Sequence, residues 1–590
     1  MSTREEAMAD TDVSKVEGVK AASNQLRGTI GEEFSDGTPG FSPESQQLLR
    51  FHGIYQQDDR DVRTERKRQG LDVDHICMVR VSIPGGILTA EQYLAMDTLC
   101  DAVASGTLRI TSRQGIQYHF VRKGDLDSLL ATLNHHLVTT LGACGDVVRN
   151  IMCCPAPLSD RQRADVGAYA LEAARRFRPR TQAYYQLWLD GERAVTAVEP
   201  GEAPDEEPLY GTTYLPRKFK IGFAFPGDNC IDVYSNDIGV VPVLDGESLR
   251  GFTVLVGGGM GKNHTNPDTF PRLADPLTTV APDELMEVLD VIVRVQRDHG
   301  DRSNREHARL KYLIHDWGID RFGAEVAQRL GRSLPAPEPV VFDAAYDHLG
   351  WHPQGDGLWF LGVKVENGRI ADRAAVRVRS GLRAVVERFS PGVRLTPRED
   401  ILLTDVADRD RSNVEAVLRD HGVLPAEQWV PIKRNSFACP ALPTCGLALT
   451  ESERALPGVL DELEAELDTL GLAGLDAHVR MTGCPNGCSR PYTAEIGLVG
   501  RGKKNYDVHL GGEPVGIRLN GVFAENVPRD ELVNVLRPVL ASYRDQRRSG
   551  ERFGDFCHRL GVDRLRAQLG TERWARKPRD ATKENAPVSS

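Results

Sequence analysis

Residues 434–441 read RNSFACPA and residues 149–156 read RNIMCCPA, so one motif occurs twice at a spacing of 285 residues. The same spacing separates RITSRQGI at 109–116 from RLTPREDI at 394–401. A looser pair, DIGVV at 237 and EIGLV at 495, is 258 residues apart, so the two copies differ in loop length. Two matches at one spacing indicate an internally duplicated chain, and a repeat of this kind determines the architecture.

Each half begins with a strand, a helix and a strand. In the first half, CMVRVSI at 77–83 predicts a strand, residues 89–104 predict a helix with Thr89 as its N-cap, and TLRIT at 107–111 predicts a strand. In the second half, residues 359–365, 374–389 and 392–396 repeat this order. Strands that alternate with amphipathic helices predict mixed α/β domains, here related by pseudo-two-fold symmetry. We expect a ligand between the two halves, because pockets favour domain interfaces.

Length and charge limit the class of protein. A chain of 590 residues predicts two to four domains. Its 84 acidic and 73 basic side chains give a net charge of −11, which argues against a nucleic-acid partner. We find no apolar run long enough to span a bilayer, and the acidic N-terminus resembles neither a secretion signal nor a transit peptide, so the sequence predicts a cytoplasmic protein with no membrane partner. In that reducing compartment, scattered cysteines such as Cys77 and Cys230 are expected to be buried thiols.

Four cysteines of the second half are clustered. Cys439 and Cys445 form a C-x5-C pair, and Cys484 and Cys488 form a C-x3-C pair in the tight turn CPNGC. Four thiolates suit zinc or an iron–sulfur cluster. Structural zinc sites prefer C-x2-C pairs, so these longer spacings favour the cluster, with zinc or unligated thiols as the alternatives. Cys153 and Cys154 in the first-half repeat have no second pair, and we expect them to be buried thiols.

The first half has cations where the second half has thiols. If LPRKFK at 215–220 is extended, Lys218 and Lys220 share one face and Arg217 lies on the other, because side chains alternate along a strand. The apolar IGFAF that follows predicts a buried strand, in which an ammonium group needs an anion or another partner.

Arginines at or just beyond predicted strand ends extend this cationic set. Guanidinium groups bind oxyanions or cofactor carboxylates, and lysine can protonate oxygen that leaves as water. The residues therefore indicate a redox metal site that faces a basic pocket, as in a multi-electron reductase of an oxyanion. The arginines are Arg80, Arg109, Arg113 and Arg149.

These motifs together resemble one known family. CPALPTC and TGCPNGC, joined to RITSRQGIQYH, GDVVRN and LPRKFKIGF, closely resemble the sulfite and nitrite reductase haemoproteins, nearest to the assimilatory sulfite reductases. The resemblance runs from about residue 20 to residue 570. It implies an α/β fold of mixed sheets, internally duplicated, with three domains around a central cofactor site. It also implies sirohaem and a 4Fe–4S cluster as cofactors.

The resemblance gives roles to the singled-out residues. It implies that the cluster is ligated by Cys439, Cys445, Cys484 and Cys488, and that Cys488 also bonds the sirohaem iron. The residues implied to hold sulfite on the distal face, with the two lysines as proton donors, are Arg80, Arg149, Lys218 and Lys220. The residues that fit positions near the carboxylates of the macrocycle are Arg109, Arg113, Gln117 and His119.

The repeat and the resemblance predict five regions. They are an N-terminal arm and wrapping segment (1–77), a duplicated ferredoxin-like domain (78–142 with 344–426), a first half that binds sirohaem and substrate (143–343), a second half that carries the cysteines (427–570), and a disordered tail (571–590).

The implied activity is the six-electron reduction of sulfite to sulfide. Lys218 followed by Lys220 favours sulfite over the nitrite of ferredoxin–nitrite reductases, in which the second position is usually Asn. Electrons are expected from ferredoxin, with an NADPH flavoprotein subunit as the alternative donor, since the chain shows no flavin or NADPH site of its own. A zinc-stabilised anion-binding protein without redox activity is the alternative from another class.

Overall fold

The structure is a computed structural model that describes residues 13–189 and 207–569. Residues 1–12 of the predicted arm, the predicted tail at 571–590, and residues 190–206 lie outside the described residues. In the described parts, four five-stranded sheets form the scaffold, and a small hairpin pairs Asp372–Arg373 with Val376–Arg377. The expected mixed α/β class is confirmed.

Two of the sheets are antiparallel and share one design. The first has the strand order Ile54–Asp58, His75–Arg80, Ile116–Val121, Leu108–Ile110, Arg369–Ile370. The other has the order Gly350–Pro353, Leu358–Val363, Ile401–Ala407, Gly392–Leu395, Ile87–Leu88. Each sheet takes its last strand from the other half of the chain. The exchange joins the two halves by backbone hydrogen bonds, which holds the halves in a fixed relation.

The other two sheets also correspond to each other. One has the order Met152–Cys153, Ile221–Phe223, Ile238–Asp245, Ser248–Val256, Asp275–Val280, and its partner has the order Phe437–Ala438, Val479–Thr482, Ile496–Gly502, Asn505–Leu510, Gly521–Pro528. In both sheets the first two pairings are parallel and the last two are antiparallel. This identical sequence of pairings is the structural form of the repeat found at residues 149 and 434.

Helices follow the strands in both halves. In the first half they are Ala90–Val103, Leu126–His135, Arg161–Arg176, Ala183–Trp188, Leu285–His299, Leu310–Trp317 and Ile319–Leu330. In the second half they are Val378–Phe389, Arg411–Asp420, Pro431–Arg434, Leu456–Thr469, Leu532–Gln546, Phe553–Leu560 and Val562–Gln568. Before the first sheet lie Lys15–Ala21, Ile30–Phe34 and Pro43–Leu49, and Arg63–Arg68 lies between its first two strands. No helix of the described residues has both the length and the apolar character that crossing a membrane requires.

The predicted helices form with small shifts. Thr89 caps the helix Ala90–Val103, and its side chain and that of Gln92 form a capping box. The helix predicted over 374–389 begins only at Val378, because Val376–Arg377 pairs in the hairpin with Asp372–Arg373. The periodicity of the sequence does not indicate this hairpin, because its exposed strands are only two residues long.

The segment before residue 50 supports the site from outside. Its described part forms three short helices, and the buried Lys20 pairs with Glu17 at 2.6 Å. Lys20 also donates to the carbonyl oxygen of Leu215 at 2.9 Å. Leu215 lies just before Lys218, so the N-terminal helices hold one end of the predicted lysine segment.

A cavity lined by cysteines and cations

One cavity lies between the two halves and draws its lining from both. The cysteines come from the second half, and the arginines and lysines come from the first. All predicted site residues line this cavity, namely Arg80, Arg109, Arg113, Gln117, His119, Arg149, Lys218, Lys220, Cys439, Cys445, Cys484 and Cys488. The structure thus brings the predicted residues together, while their roles remain predictions.

Two adjacent parallel strands bring the cysteine pairs to one place. Cys439 follows the strand Phe437–Ala438, and Cys484 follows Val479–Thr482, which pairs with it in parallel. Parallel strands end at the same sheet edge, so the loops after them meet. The Gly483 amide donates to Cys439 Sγ at 3.4 Å, and the Asn486 side-chain amide donates to Cys484 Sγ at 3.5 Å. Such donors stabilise thiolate charge and tune a metal centre.

The predicted turn around Cys488 is present. Residues 483–486 and 488–489 are turns and bends, and Gly487 between them has a φ of +63°, which favours glycine. A Cβ at Gly483 would lie 2.4 Å from that of Ala441, so the two cysteine loops pack directly on each other. After the turn, Arg490 donates to the carbonyl oxygen of Ser112 at 3.1 Å, which fixes the Cys488 loop to the first half.

The spacing of the four thiols separates the alternatives left open by the sequence. Four sulfurs around one zinc ion at about 2.3 Å would lie about 3.8 Å apart. Among the described residues, metal-ligand atoms gather within 4.8 Å of one another at a different place, and the four cavity cysteines do not form such a group. In this structure the four cavity thiols are therefore not gathered as closely as the ligands of a single zinc ion would be. Burial, then the neighbouring Cys488 and Cys484, raise the pKa of Cys439 well above its usual value, so this thiol stays protonated unless a metal ion or another cation stabilises its thiolate.

The lysine segment has the expected alternation. Phe219 pairs with Val148 in a parallel bridge, and Lys218 and Lys220 on either side of Phe219 both line the cavity. Burial, then the charges of Arg149 and Arg217, lower the pKa of Lys218 to about 7.

Burial also lowers the pKa of Lys220 well below its usual value, with Arg309 and Arg113 contributing. The Lys220 amide donates to Asp237 at 2.9 Å, and Asp237 is paired with Arg309 at 2.6 Å. The pair holds the backbone of Lys220, and no carboxylate of residues 13–189 or 207–569 forms a salt bridge with its ammonium. An anion in the cavity would supply the missing counter-charge.

Arg80 is held at the cavity wall by polar partners. Its Nη1 lies 2.8 Å from Cys144 Sγ, and its guanidinium lies over the Tyr55 ring at 5.9 Å. With its amide oxygen turned toward Arg80, Gln117 accepts from Nη2 at 2.5 Å and from Nε at 2.9 Å. Gln117 therefore orients Arg80.

The hydrogen bonds of Arg113 indicate which kind of group the cavity can hold. Its guanidinium donates to Asn236 at 2.8 Å, to the Asn150 carbonyl at 2.6 Å and to the Ile221 carbonyl at 3.1 Å. Its Nε is buried and has no hydrogen-bond partner among the residues that the structure describes. Buried polar groups without partners are rare, so this atom marks a place for an acceptor such as a cofactor carboxylate. The residues present therefore fit an anionic cofactor between cations and thiols.

Arg109 and His119 are engaged by protein groups. Arg109 is fully buried, pairs with Glu399 at 2.8 Å and Glu453 at 3.2 Å, and donates to the Ala438 carbonyl at 2.7 Å. Its contact with the macrocycle stays a prediction, but its visible contacts position the residue before Cys439. His119 Nδ1 lies 3.2 Å from Arg369, and burial lowers its pKa well below the usual value, so this ring is neutral.

Sequence reasoning missed the acids behind the arginines. Glu399, Glu453 and Asp237 neutralise buried cations at the cavity wall, and Arg369 pairs with Glu453 at 2.7 Å. Their partners lie far away in sequence, so no local spacing could have identified them. Two of these acids lie inside repeated motifs: Glu399 in RLTPREDI, where Gln114 is its first-half counterpart, and Asp237 in DIGVV, where Glu495 is its second-half counterpart.

The fold and the cavity define a duplicated reductase of the kind that holds a cysteine-ligated cluster against a basic pocket. The model of the nitrite and sulphite reductase 4Fe-4S domain matches residues 173–334 and 430–578. The model of the nitrite/sulfite reductase ferredoxin-like half domain matches residues 68–136 and 352–421. The chain belongs to this family.

Individual relatives cover nearly the whole chain. The sulfite reductase [NADPH] hemoprotein beta-component of Staphylococcus saprophyticus is 42% identical over 94% of this chain and 98% of its own length. The sulfite reductase [ferredoxin] of Synechococcus elongatus is 44% identical over 95% of this chain and 91% of its own. The structure of the Mycobacterium tuberculosis NirA protein superposes with a TM-score of 0.75 at 26% identity, covering 94% of this chain and 97% of that one. The resemblance seen in the motifs is confirmed.

Proposed function

We propose that this protein is a sulfite reductase that converts sulfite to sulfide with six electrons. The observation that carries the proposal is that Lys218 and Lys220 line one cavity with Cys484 and Cys488. A pocket for a small oxyanion thus adjoins a site for a redox cluster. The relatives named sulfite reductase at 42% and 44% identity support the same reaction.

The residues fit two cofactors, sirohaem and a 4Fe–4S cluster. Cys439, Cys445, Cys484 and Cys488 would hold the cluster, and Cys488 would also bond the sirohaem. When bound, the pair supplies iron for the substrate sulfur and delivers electrons one at a time. Arg113, with its unpartnered Nε, and the neighbouring basic groups would hold carboxylates of the macrocycle.

Four side chains of the first half would bind the substrate oxygens. Arg80 and Arg149 supply planar guanidinium groups, whose N–H donors match the oxygens of a small anion. Lys218 and Lys220 add charge that depends on protonation. Because these groups are fixed before the substrate enters, they stabilise developing negative charge on oxygen without reorganisation.

Proton delivery is the second task of the lysines. Each oxygen must leave as water, so the pocket must deliver six protons for the three oxygens. A pKa of about 7 suits Lys218 to a general acid near neutral pH, because it both holds and releases a proton there. An anion bound beside Lys218 would raise this pKa, so that the lysine takes up a proton again from solvent.

The chain would work in the cytoplasm with a separate electron donor. We favour a ferredoxin, as the sequence predicted, and an NADPH flavoprotein stays the other candidate because relatives of both types match at similar identity. The proposed division into regions is the one predicted from the sequence, and the cavity is lined mainly by the regions 78–142, 143–343 and 427–570.

One assay tests the proposal. Purified protein with its iron cofactors is supplied with reduced methyl viologen, and sulfide is measured directly as the product. We expect sulfite-dependent sulfide formation, with kcat/KM higher for sulfite than for nitrite. Protein that contains full iron but forms no sulfide would refute the proposal, and a higher kcat/KM for nitrite would reassign the substrate. Reduced ferredoxin and NADPH with a flavoprotein, compared in the same assay, identify the donor class.

A further inference from the structure

A second group of metal-ligand side chains lies outside the cavity described above. Ligand atoms of Cys154, Asp228, Cys230 and His348 all lie within 4.8 Å of one another. Cys154 Sγ is 3.7 Å from Asp228 Oδ2 and 4.0 Å from His348 Nε2, and these last two atoms are 3.4 Å apart. Ligands of one tetrahedral zinc ion, at about 2.0–2.3 Å from the metal, are about 3.4–3.8 Å from each other. The four groups are therefore spaced almost as ligands of one ion.

The carboxylate is oriented toward the other three groups. Asp228 Oδ1 accepts from the backbone amides of Cys230 and Tyr346, each at 3.0 Å. These bonds leave Oδ2 facing Cys154 and His348. A ligand whose second oxygen is held by hydrogen bonds is a regular feature of protein metal sites. The backbone of His348 has a φ of +59°, uncommon outside glycine, so the chain holds this imidazole in place at some cost.

The internal symmetry places two of these groups at positions equivalent to cluster cysteines. Cys154 directly follows the strand Met152–Cys153, as Cys439 follows Phe437–Ala438. Cys154 and Cys439 are separated by the 285-residue spacing of the repeat, and so are the two strands that precede them.

Cys230 corresponds to Cys488 at the 258-residue spacing. Each cysteine lies three residues before a short 3-10 helix, Val233–Ser235 or Pro491–Thr493. The residue before each of these helices is left-handed, with φ of 51° at Asp232 and 54° at Arg490. The first half therefore retains a ligand geometry that its sequence alone did not reveal, because its two cysteines are not paired along the chain.

We propose that Cys154, Cys230, His348 and Asp228 bind one Zn²⁺ ion at the symmetry-related position of the first half. Two thiolates with one imidazole and one carboxylate form a ligand set of intermediate softness, which suits zinc and disfavours calcium or magnesium. The set is too compact for a cubane, which needs more widely separated sulfurs. The proposal does not depend on the reductase activity.

The site joins segments that are distant in sequence. Cys154 directly follows the strand Met152–Cys153, and Asp228 and Cys230 lie in a loop between strands of the same sheet. His348 lies in the connection that leads to the ferredoxin-like sheet of the second half. Cys154 also lines an open cavity with Arg163 and Phe225, which gives a metal ion a path from solvent. A metal there would hold the two halves together at the end of the connection between them.

The ion can be observed directly on the holoenzyme. The full chain is purified without a metal-affinity tag or chelator from cells supplied with zinc, and zinc and iron are determined separately by mass spectrometry. We expect about one zinc per chain beside the iron of the cofactors. Zinc-edge X-ray absorption should show two sulfurs at about 2.3 Å and two nitrogen or oxygen ligands at about 2.0–2.1 Å.

Variants assign the ligands. Cys230→Ser and His348→Gln should each lower retained zinc at least tenfold after dialysis, with the sirohaem absorption unchanged. Cys77→Ser, which alters a buried thiol elsewhere in the first half, should retain the wild-type zinc content.

Wild-type protein with less than about a tenth of a zinc per chain, or with zinc that has no sulfur ligand, would overturn the proposal. A disulfide between Cys154 and Cys230 in the isolated holoenzyme would also overturn it. If a variant fails to fold, zinc-edge X-ray absorption of the wild-type protein still tests whether two sulfurs ligate the zinc.

Discussion

The guanidinium of Arg109 and the carboxylate of Glu453 form a buried ion pair, with Nε 3.2 Å from the carboxylate oxygen. The same guanidinium reaches the carbonyl oxygen of Ala438 at 2.7 Å, and the Glu453 amide donates to the carbonyl oxygen of Cys439 at 3.0 Å. One ion pair between the halves therefore holds the backbone around the first cysteine of the C-x5-C pair. Arg109 positions a thiol, whatever else it contacts when cofactors are bound.

Removal of the Glu453 charge should therefore damage the cluster site. In Glu453→Gln, Arg109 and Arg369 lose a buried carboxylate, which costs about 3–5 kcal/mol when one partner of a buried pair is removed. We expect less acid-labile sulfide per chain and a lower midpoint of guanidinium unfolding. Sulfide analysis and a denaturation curve on the same preparation measure both effects.

The matched control is an acid on the protein surface. Glu462 is exposed and pairs with Arg529, so Glu462→Gln should change the free energy of unfolding by less than about 1 kcal/mol. The sulfide content of this variant should equal that of the wild type. Equal losses in both variants would contradict a positioning role for the Arg109–Glu453 pair.

The sequence predicted those parts of the fold and site that local patterns encode. Thr89 as an N-cap predicted the start of its helix, and the two repeated motifs predicted sheets that are equivalent in their pairing. Lys218 and Lys220 were placed on one face because alternation in an extended segment depends only on neighbours.

Long-range pairings were not predictable. Arg109 is 344 residues from Glu453 along the chain. The sequence around its two partners, Glu399 and Glu453, has no pattern of charges that predicts the pairing. Cys154 and Cys230 were each expected to be isolated buried thiols, because their proximity arises from the sheet and not from spacing along the chain. Such contacts depend on the tertiary packing of both halves.

The lysines allow charge to be separated from proton donation. Lys218→Met and Lys220→Met each remove a cation that faces the cavity, and we expect kcat for sulfite to fall by about 10²-fold or more. Lys218→Arg keeps the charge but holds its proton too strongly to act as an acid. It should recover sulfite binding, seen as a near-normal KM, but not kcat. The sirohaem absorption should be unchanged in all three variants.

Steady-state assays with a fixed concentration of reduced methyl viologen measure these constants. If both methionine variants keep wild-type turnover, the lysines are not proton donors. If Lys218→Arg restores kcat completely, charge alone explains the effect of Lys218.

The pKa of Lys218 gives a pH prediction with a definite sign. Burial and three nearby arginines lower this pKa to about 7, so the ammonium is present below that pH and lost above it. The value of kcat/KM for sulfite, which reports on the free enzyme, should fall up to about tenfold per unit as the pH rises from 7 to 9. Lys218→Arg stays charged over this range, so its decline should be shallower. The titration of sulfite itself is common to both enzymes, and parallel profiles would exclude Lys218 as the group responsible.

Replacing a cavity cysteine should lower the cluster content of the protein, whereas replacing a buried cysteine elsewhere should not. Cys484→Ala removes one predicted cluster ligand, and the buried thiols beside it lack the metal that would stabilise their charge. We expect acid-labile sulfide to fall below about a tenth of the wild-type content. Cys557 is equally buried but lies away from the cavity, so Cys557→Ala should keep the full cluster. Electron paramagnetic resonance of the reduced proteins, with iron and sulfide analysis, compares the two. A full cluster in Cys484→Ala, or equal loss in both variants, would show that these cysteines do not form the ligand set.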